Sequence, residues 1–219
     1  MRKRLFVYGI GSLGEKIYHY NKRDGLFDMI GFIDDKAELD DVFCGLPVYT
    51  FDKIKELFRP EDCVIFVAIG YVKCNYYREL VCKKVKESGY SLTNYISPNS
   101  ICFEGVELGE NILLCDNVFV GHRSKLEDGV ILSVGCTLSH ENYIGKYSFI
   151  SSCVVFGGHA RVCNNCFVGL HSTIRDSVEI GAYSIVGSGT NVIKTTPEHS
   201  VTIGNPGTSK VKDTMSMSI

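Results

Sequence analysis

Large apolar residues recur at every sixth position through the second half of the chain, with no slip over fifteen consecutive repeats. The series runs through Leu108, Leu114, Val120, Leu126, Leu132, Leu138, Ile144, Ile150, Phe156, Val162, Val168, Ile174, Ile180, Val186 and Val192. A period of six fits neither an α-helix, which repeats every 3.6 residues, nor a half-buried strand, which repeats every two. It is typical of a parallel β-helix, in which each six-residue segment forms one flat face and three faces close a coil.

Side-chain size at a second position of the repeat supports this fold. Four residues after most of the large apolar residues the side chain is small or β-branched, as at Ser124, Cys136 and Ala160. A tight triangular coil has room for one large inward residue on each face and a smaller one near each corner. Glycine often follows the large residue directly, and we expect these glycines to adopt positive φ at the corners. The phase extends back through Ile96 and Cys102, which predicts about five to six coils.

The residues before the repeat read as a small α/β domain with a nucleotide-binding motif. A short apolar strand, 4–9, runs into Gly9–Gly14, which matches G-x-G-x-x-G, and a helix follows over about 14–21. A second strand, 29–33, ends in Asp34 and Asp35 at the distance from the glycines that a βαβ nucleotide-binding unit requires. The pattern then predicts helices over about 51–58 and 75–87, a strand over 63–69 and a last strand over 89–96.

The size of this domain limits its ligand. About ninety residues are available, which is short for a dinucleotide fold built from two βαβαβ halves. The size therefore favours a mononucleotide-type ligand over NAD. Glycines let the backbone approach a phosphate, and the helix N-terminus supplies N–H donors. The alternative is a small α/β domain whose glycines serve only a tight turn.

The order of a Rossmann-like α/β domain over 1–95 and a hexapeptide-repeat prism over 96–219 resembles the bacterial sugar acyltransferases of the PglD and NeuD type. The resemblance implies a left-handed parallel β-helix, a homotrimer, and acetyl-CoA as co-substrate in the groove between neighbouring prisms. It also implies that the N-terminal domain holds a nucleotide-linked amino sugar, with UDP as the expected nucleotide. The substrate-binding residues that it implies are Gly9, Gly11, Ser12, Leu13, Asp34, Asp35 and Gly70. Leu13 is a departure, because many members carry histidine there.

The candidate chemistry centres on one histidine of the repeat. An acetyl-CoA-dependent transferase must remove a proton from the acceptor as it attacks the thioester, and a neutral histidine is the usual base. His140 and Glu141 precede an Ile-Gly corner, which resembles the family's His-Glu or His-Asp motif. The resemblance implies that His140 is the general base and Glu141 its orienting carboxylate. Because one coil has eighteen residues, His122 is expected one coil below His140, and Gly158 one coil above, where it leaves room for the thioester.

The same resemblance implies a set of cofactor-binding residues along the acetyl-CoA groove, namely Phe149, Gly158, Leu170, Ser188 and Lys210. Phe149 stands where many relatives carry a second histidine, so its ring is expected to pack against the cofactor without donating a hydrogen bond. Lys210 belongs to a tail that resembles the family's G-x-P-A-K ending, where a lysine approaches phosphate. His159 has no matched role, and His171 is either a cofactor contact or a surface residue.

Composition limits the cellular compartment and the classes of binding partner that the sequence predicts. The 219 residues carry a net charge of −2, which favours neither nucleic acid nor an anionic membrane as a partner. No apolar run is long enough to span a membrane. Ten cysteines without a signal peptide at the start predict reduced thiols in a cytoplasmic protein. Cys163 and Cys166 have C-x-x-C spacing without a second pair, so we expect neither a metal nor a redox site there.

These features predict an enzyme, an acetyl-CoA-dependent N-acetyltransferase acting on a nucleotide-linked amino sugar. The alternative within the same family is an O-acetyltransferase of a sialic-acid-like sugar. A zinc lyase of the γ-carbonic anhydrase type shares the prism, but its His pair five residues apart is missing from this sequence. A nonenzymatic nucleotide-sugar sensor would leave the His-Glu pair unexplained. The sequence leaves open the identity of the sugar, the choice of amine or hydroxyl, and the length of the acyl group.

Overall fold

The computed structural model describes residues 2–205, which form an α/β domain followed by a prism of stacked strands. The elements of the first domain are β1 (Arg4–Tyr8), α1 (Ser12–Asp24), β2 (Asp28–Ile33), β3 (Val42–Phe43), β4 (Leu46–Tyr49), α2 (Phe51–Leu57), β5 (Val64–Val67), α3 (Tyr76–Glu87) and β6 (Ser91–Leu92). Its sheet has the order β3-β4-β2-β1-β5-β6 and is parallel except for the β3–β4 pair. The predicted α/β class of this domain is confirmed.

The centre of this sheet is β1, because an apolar strand can be covered on both faces. Its residues Leu5, Phe6 and Val7 are fully buried. β1 pairs in parallel with β2 on one side and with β5 on the other, so the loops that follow these three strands meet at one edge of the sheet. The glycine motif, the acidic pair and the segment from Ala68 therefore converge there.

The prism consists of short strands separated by corners. The strands are β7 (Tyr95–Ile96), β8 (Ile101–Cys102), β9 (Glu107–Leu108), β10 (Leu113–Leu114), β11 (Phe119–Val120), β12 (Lys125–Leu126), β13 (Ile131–Leu132), β14 (Thr137–Leu138), β15 (Tyr143–Ile144), β16 (Phe149–Ile150), β17 (Val155–Phe156), β18 (Arg161–Val162), β19 (Phe167–Val168), β20 (Thr173–Ile174), β21 (Glu179–Ile180), β22 (Ile185–Val186), β23 (Asn191–Val192) and β24 (Val201–Thr202). Through β23 every third strand pairs in parallel, eighteen residues apart, and builds one face; β22 pairs with β24 across a shorter separation. The first face runs from β7 to β24, the second from β8 to β23, and the third from β9 to β21.

The second residue of most strands points into the prism and is the large apolar residue of the repeat. Leu138, Ile144 and Ile150, one from each face, are completely buried. The small residue four positions later is buried as well, as Ser124 and Cys136 illustrate. The predicted hexad phase, including its extension back through the strands at 96 and 102, is therefore confirmed.

The glycines of the repeat have a different role from the one predicted. Positive φ occurs three residues after the large apolar residue, as at Asn165 with φ 59°, and not at the glycines that follow it directly. Those glycines lie against the next coil. A Cβ on Gly121 would lie 1.5 Å from the Ser139 carbonyl oxygen, and one on Gly145 would lie 2.6 Å from the Cys163 carbonyl carbon. Close backbone stacking, not backbone conformation, requires glycine at these positions.

The last predicted strand of the first domain is wrong, because residues 89–96 contain two strands in different sheets. β6 pairs with β5 in the α/β domain, whereas β7 pairs with β10 in the prism. The chain changes sheet at Thr93 and Asn94, close to the predicted domain boundary at residue 95.

The two domains contact each other along the first face of the prism. Asn111 exchanges two hydrogen bonds with the backbone of Val67, through which the end of β5 is held to the prism. Arg23 of α1 forms a bidentate ion pair with Asp116 at the beginning of the prism. Within residues 2–205 no helix is long and apolar enough to cross a membrane.

Candidate active site

The glycine motif builds one wall of a pocket at the edge of the first domain. Gly9 has φ 122° and Gly14 packs so closely on Gly9 that a Cβ would lie 2.0 Å from its carbonyl oxygen. Gly11 is different, because a Cβ there would meet no atom within 4 Å. It precedes the first residue of α1 and has no side-chain cap, so the N–H groups of that helix end remain available to an anion. Gly9 and Gly14 are thus structural, whereas Gly11 borders the open space.

The pocket joins both domains. It is lined by Gly11, Ser12, Leu13, Lys16, Ala68, Gly70, Tyr71 and Phe149. Four of these are substrate-side residues predicted from the sequence, and Phe149 was predicted on the cofactor side. Sequence reasoning missed Lys16 and Tyr71. The signal for Lys16 was its spacing of four from Ser12, which places both side chains on one side of α1.

An aromatic cluster closes the prism side of this pocket. Tyr71 packs on Phe149 and Phe167 with ring centroids 5.1 and 4.6 Å away, and the two phenylalanines stack on each other. Both phenylalanines are outward residues of the first face, in β16 and β19. The structure therefore groups Phe149 with the predicted substrate residues and not with Gly158, Leu170 or Ser188.

The two acidic residues after β2 have different environments. The Asp35 carboxylate accepts hydrogen bonds from the Tyr8 hydroxyl at 2.6 Å and from Lys84 Nζ at 2.8 Å. Burial alone would raise the pKa of Asp35, but the bonds from Lys84 and Tyr8 outweigh it and hold that pKa below its usual value. Asp34 accepts one hydrogen bond from the backbone N–H of Lys36, through Oδ1. Neither carboxylate lines the pocket of the glycine motif.

The predicted base lies at the corner between the second and third faces. The ring of His140 stacks on that of His122, one coil below, with centroids 5.5 Å apart, and meets His159 edge-on at 5.0 Å. A Cβ on Gly158 would lie 2.4 Å from His140 Nε2. The space that a side chain at position 158 would occupy is thus filled by the His140 ring, and not left open for the thioester as expected.

Glu141 does not hydrogen-bond to His140 in this structure. Its carboxylate forms an ion pair with Arg123, one coil below, at 2.6 Å, and lies 3.5 Å from Nδ1 of His159, one coil above. Donor atoms of His122, His140 and Glu141 lie within 4.8 Å of one another, which is the set within the described chain that could meet around a metal ion. The Glu141 carboxylate is already paired with the Arg123 guanidinium, and this positive charge would repel a metal ion bound to the same carboxylate.

A buried asparagine fixes the backbone of this corner. Asn142 donates from Nδ2 to the carbonyl oxygen of Gly157 at 2.7 Å and to that of Ala160 at 3.3 Å. The backbone N–H of Asn142 donates to the hydroxyl of Ser124 in the coil below. Three successive coils are therefore tied together directly behind His140, so this side chain projects from a rigid support.

The remaining predicted cofactor residues lie at another corner. Leu170 and Ser188 are exposed, one coil apart, between the first and second faces, whereas Gly158 lies between the second and third. Lys210 lies outside the described residues. The structure thus separates the predicted residues into the pocket on the first face, the His140 corner opposite that face, and the Leu170 corner between them.

Comparison with known proteins agrees with this architecture. Residues 4–85 match the family described as the PglD N-terminal domain. PerB from Caulobacter crescentus, solved in complex with CoA and GDP-perosamine, is 25% identical with a TM-score of 0.82, and the alignment covers 91% of this chain and 93% of PerB. The N-terminal domain thus matches that family, and the whole chain resembles the sugar acyltransferases of the PglD and NeuD type. The predicted resemblance, fold class and acyltransferase class are thereby confirmed.

Two further solved structures share the fold. The acetyltransferase domain of PglB from Neisseria gonorrhoeae, in complex with acetyl coenzyme A, is 23% identical with a TM-score of 0.85, covering 94% of this chain and 98% of that domain. WeeI from Acinetobacter baumannii is 22% identical with a TM-score of 0.80, covering 92% and 97%. An N-terminal α/β domain followed by a left-handed prism is thus the shared architecture of this acyltransferase and its neighbours.

Proposed function

We propose that this acyltransferase is an acetyl-CoA-dependent N-acetyltransferase of a nucleotide-linked amino sugar, with His140 as the general base. The observation that carries the proposal is the pairing of two features: a glycine-motif pocket with an uncapped helix N-terminus and Lys16, and a histidine on a rigid corner of the prism. The first suits a diphosphate, and the second suits proton removal. PerB, solved with CoA and GDP-perosamine, combines the same architecture with those two ligands.

The acceptor chemistry follows from the pocket. The α1 N-terminus and the Lys16 cation both favour negative charge, as a sugar linked to a nucleoside diphosphate carries. The aromatic wall of Tyr71 and Phe149 offers an apolar surface to the sugar. UDP remains the nucleotide expected from the family resemblance, and GDP is the nucleotide of the PerB ligand. An amine is favoured over a hydroxyl because a structure of the same Caulobacter protein is described as a GDP-perosamine N-acetyl transferase.

Acetyl-CoA is the proposed donor, held by residues of the prism. Gly158, Leu170 and Ser188 border the second face, and the His140 ring packs against Gly158, so the proposed base lies next to this face. Phe149 lines the glycine-motif pocket on the first face. Any contact between its ring and acetyl-CoA would therefore be made at the end of the donor that lies nearest the acceptor. PerB was solved with CoA and the PglB domain with acetyl-CoA.

The proposed reaction is a direct transfer. The acceptor nitrogen attacks the thioester carbonyl carbon, and His140 takes a proton from that nitrogen as the new bond forms. The tetrahedral intermediate collapses by breaking the carbon–sulfur bond, and the departing CoA thiolate takes the proton from the His140 imidazolium, which restores the neutral base. Glu141, held between Arg123 and His159, supplies negative charge near the imidazolium that forms. No covalent enzyme intermediate is required.

A homotrimer is part of the proposal, because one chain separates the two halves of the site. The acceptor pocket lies on the first face, and the His140 corner lies on the opposite side of the prism. The second face carries exposed apolar residues, with Ile101 54% and Val155 43% accessible, which suits contact with another chain. The outward residues of the third face form ion pairs instead, such as Arg161 with Glu179, which suits contact with solvent.

The direct test is release of CoA from acetyl-CoA in the presence of candidate acceptors. The panel contains UDP-, GDP- and dTDP-linked 3-amino and 4-amino sugars, with a free sialic acid as the hydroxyl acceptor. We expect turnover with at least one nucleotide-linked amino sugar and an N-acetylated product by mass spectrometry. Gly11→Phe serves as the negative control. Its ring would meet no protein atom at the Cβ but would fill the pocket, so this variant should give no turnover. Turnover with sialic acid alone would contradict the proposal.

A further inference from the structure

Arg78 of α3 is fully buried, yet among residues 2–205 it has no carboxylate partner. Its five N–H groups all point to neutral oxygen atoms. Nε donates to the Gly129 carbonyl at 3.1 Å, and one terminal nitrogen donates to the Ile69 and Gly70 carbonyls, both at 3.0 Å. The other terminal nitrogen donates to the Tyr147 carbonyl at 2.6 Å and to the side-chain oxygen of Asn75 at 2.9 Å.

The guanidinium is charged despite its burial. Desolvation lowers the pKa of Arg78 to about 10, which still leaves it protonated at neutral pH. A buried charge is costly unless hydrogen bonds replace the lost water, and here every donor has a partner. Lysine has three donors on one atom and cannot reproduce this planar arrangement. The position therefore requires arginine for geometry and not only for charge.

The oxygen atoms that Arg78 binds belong to two different parts of the molecule. Ile69 and Gly70 lie in the loop after β5, and Gly70 lines the acceptor pocket next to Tyr71. Gly129 and Tyr147 lie one coil apart on a corner of the prism, two residues before outward positions of the first face. One side chain thus joins the pocket loop to the prism.

Asn75 completes the connection. It precedes α3 with φ 63° and is itself fully buried. Its Oδ1 accepts from Arg78, and its Nδ2 donates to the Cys166 carbonyl, in the coil that follows Tyr147. Asn165, which lies in the same coil as Cys166, donates from Nδ2 to the carbonyl of Cys74 and to the carboxylate of Glu79. The start of α3 is consequently fixed along three coils of the prism.

We propose that Arg78 is a positioning residue for the acceptor: it holds the Ile69–Gly70 loop at a fixed place relative to the prism and so sets the shape of the nucleotide-sugar pocket. This inference rests on the proposed function of that pocket. Arg78 does not itself line the pocket; it binds the Ile69 and Gly70 carbonyls, and its guanidinium lies over the Phe149 ring, 6.0 Å from the centroid, so it acts through these neighbours of the pocket. Its loss should therefore impair acceptor binding more than donor binding.

The test compares Arg78→Lys with Asp116→Asn, a matched control that removes the ion pair with Arg23 between the same two domains without touching the loop. We expect Arg78→Lys to raise the acceptor KM by about tenfold or more, the effect of losing one hydrogen bond to a charged group. The acetyl-CoA KM should change little. Amide hydrogen exchange at residues 69–72 should become faster in Arg78→Lys and stay unchanged in the control.

A second variant guards against misfolding. Asn75→Ala leaves the guanidinium in place but removes one of its acceptors, and it should shift the acceptor KM and the loop exchange in the same direction by less. If Arg78→Lys lowers the melting temperature while acceptor KM and loop exchange are unchanged, the residue is structural only and the proposal is wrong. If the unaltered chain acetylates no sugar of the panel, the proposed function fails, whereas loop exchange still decides whether Arg78 holds the loop.

Discussion

The ring of His140 lies where it does because position 158 has no side chain. His122 supports the ring from the coil below, and Gly158 receives it from the coil above. Glu141, the next residue in the chain, turns away toward Arg123 and His159. The orientation of the base in this structure therefore depends on packing, and the predicted role of Glu141 as an orienting carboxylate stays a prediction.

Adding one methyl group at Gly158 should displace the base. The backbone there has no positive φ, so Gly158→Ala is tolerated by the main chain, but its Cβ would lie 2.4 Å from the imidazole. We expect kcat to fall by about 10²-fold, the effect of a base misplaced by about 1 Å, with little change in stability. Gly187→Ala is the control, because its Cβ would lie 3.5 Å from its nearest neighbour. Equal kcat values for the two variants would rule out this role of Gly158.

The two acidic residues after β2 should separate stability from binding. The pKa of Asp35 is lower in the fold than in the unfolded chain, so its ionised form stabilises the fold above about pH 4. That contribution is lost as pH falls through the folded-state value. We expect Asp35→Asn to lower the free energy of unfolding by about 1 kcal/mol at pH 7 and less at low pH, measured by urea denaturation.

Asp34→Asn serves as the partner variant, because Asp34 makes no ion pair within residues 2–205. It should leave the urea midpoint unchanged and raise the acceptor KM, since an acidic residue at the end of the second strand of a nucleotide-binding βαβ unit accepts ribose hydroxyls. A loss of stability in Asp34→Asn and none in Asp35→Asn would reverse the assignment of the two residues.

At the scale of elements, the corners of the prism share one conformation although their residues differ. Left-handed φ recurs at the third residue after the large apolar one, on Asn, Arg, Glu, Tyr, Cys, His and Ser as well as Gly. The N–H of this residue donates to the coil below, as Ser177 does to the Gly158 carbonyl at 2.9 Å. Stacking of successive coils therefore imposes the conformation whatever the side chain.

This strain predicts a stability difference at Ser177, an exposed corner residue with φ 59°. Ser177→Val should be less stable than Ser177→Gly by about 1–2 kcal/mol, because a β-branched residue fits left-handed backbone poorly. Thr173→Val, on an exposed strand position of the same coil, should change little. Thermal denaturation of the three variants measures this, and equal stability of the two Ser177 variants would show that the corner is not strained.

The same element explains what the sequence could and could not predict. The sequence predicts the hexad repeat because the inside of the prism accepts only large apolar residues, such as Leu138. It predicts the small corner positions because little space is left for a side chain there. Positive φ was placed on the wrong residues, because a glycine needed for close stacking, like Gly121, looks the same in a sequence as one needed for backbone freedom. Arg78 was missed because a charged residue in a helical pattern is usually exposed.

At the scale of the whole molecule, the sequence predicted residues for both halves of the proposed site but not their separation within one chain. Which corner or face a residue occupies depends on how the coil closes, so the sequence predicts Phe149 on the donor side, whereas the structure has it lining the pocket beside the glycine motif. In one chain the pocket and His140 lie on opposite sides of the prism. If three chains associate, the pocket of one and the base of a neighbour can complete the site.

Mixing two inactive variants tests this arrangement. His140→Ala lacks the base, and Gly11→Phe has its acceptor pocket filled. If each site takes its pocket from one chain and its base from another, trimers formed by unfolding and refolding an equal mixture should recover about a quarter of the sites by random assortment. Either variant refolded alone should remain inactive. A mixture without activity, or a monomer by light scattering, would contradict the shared site.

The most direct measurement of the central claim is the rate of acetyl transfer by the His140→Ala variant, with acetyl-CoA and the best acceptor of the panel both saturating. The account predicts a fall in kcat of about 10²–10⁴, the usual contribution of a positioned general base. Donor and acceptor KM values should change little, because the ring contacts neither the pocket nor the Leu170 corner. A His140→Ala enzyme that transfers acetyl groups at nearly the unaltered rate would show that the base lies elsewhere and that this corner is not the catalytic one.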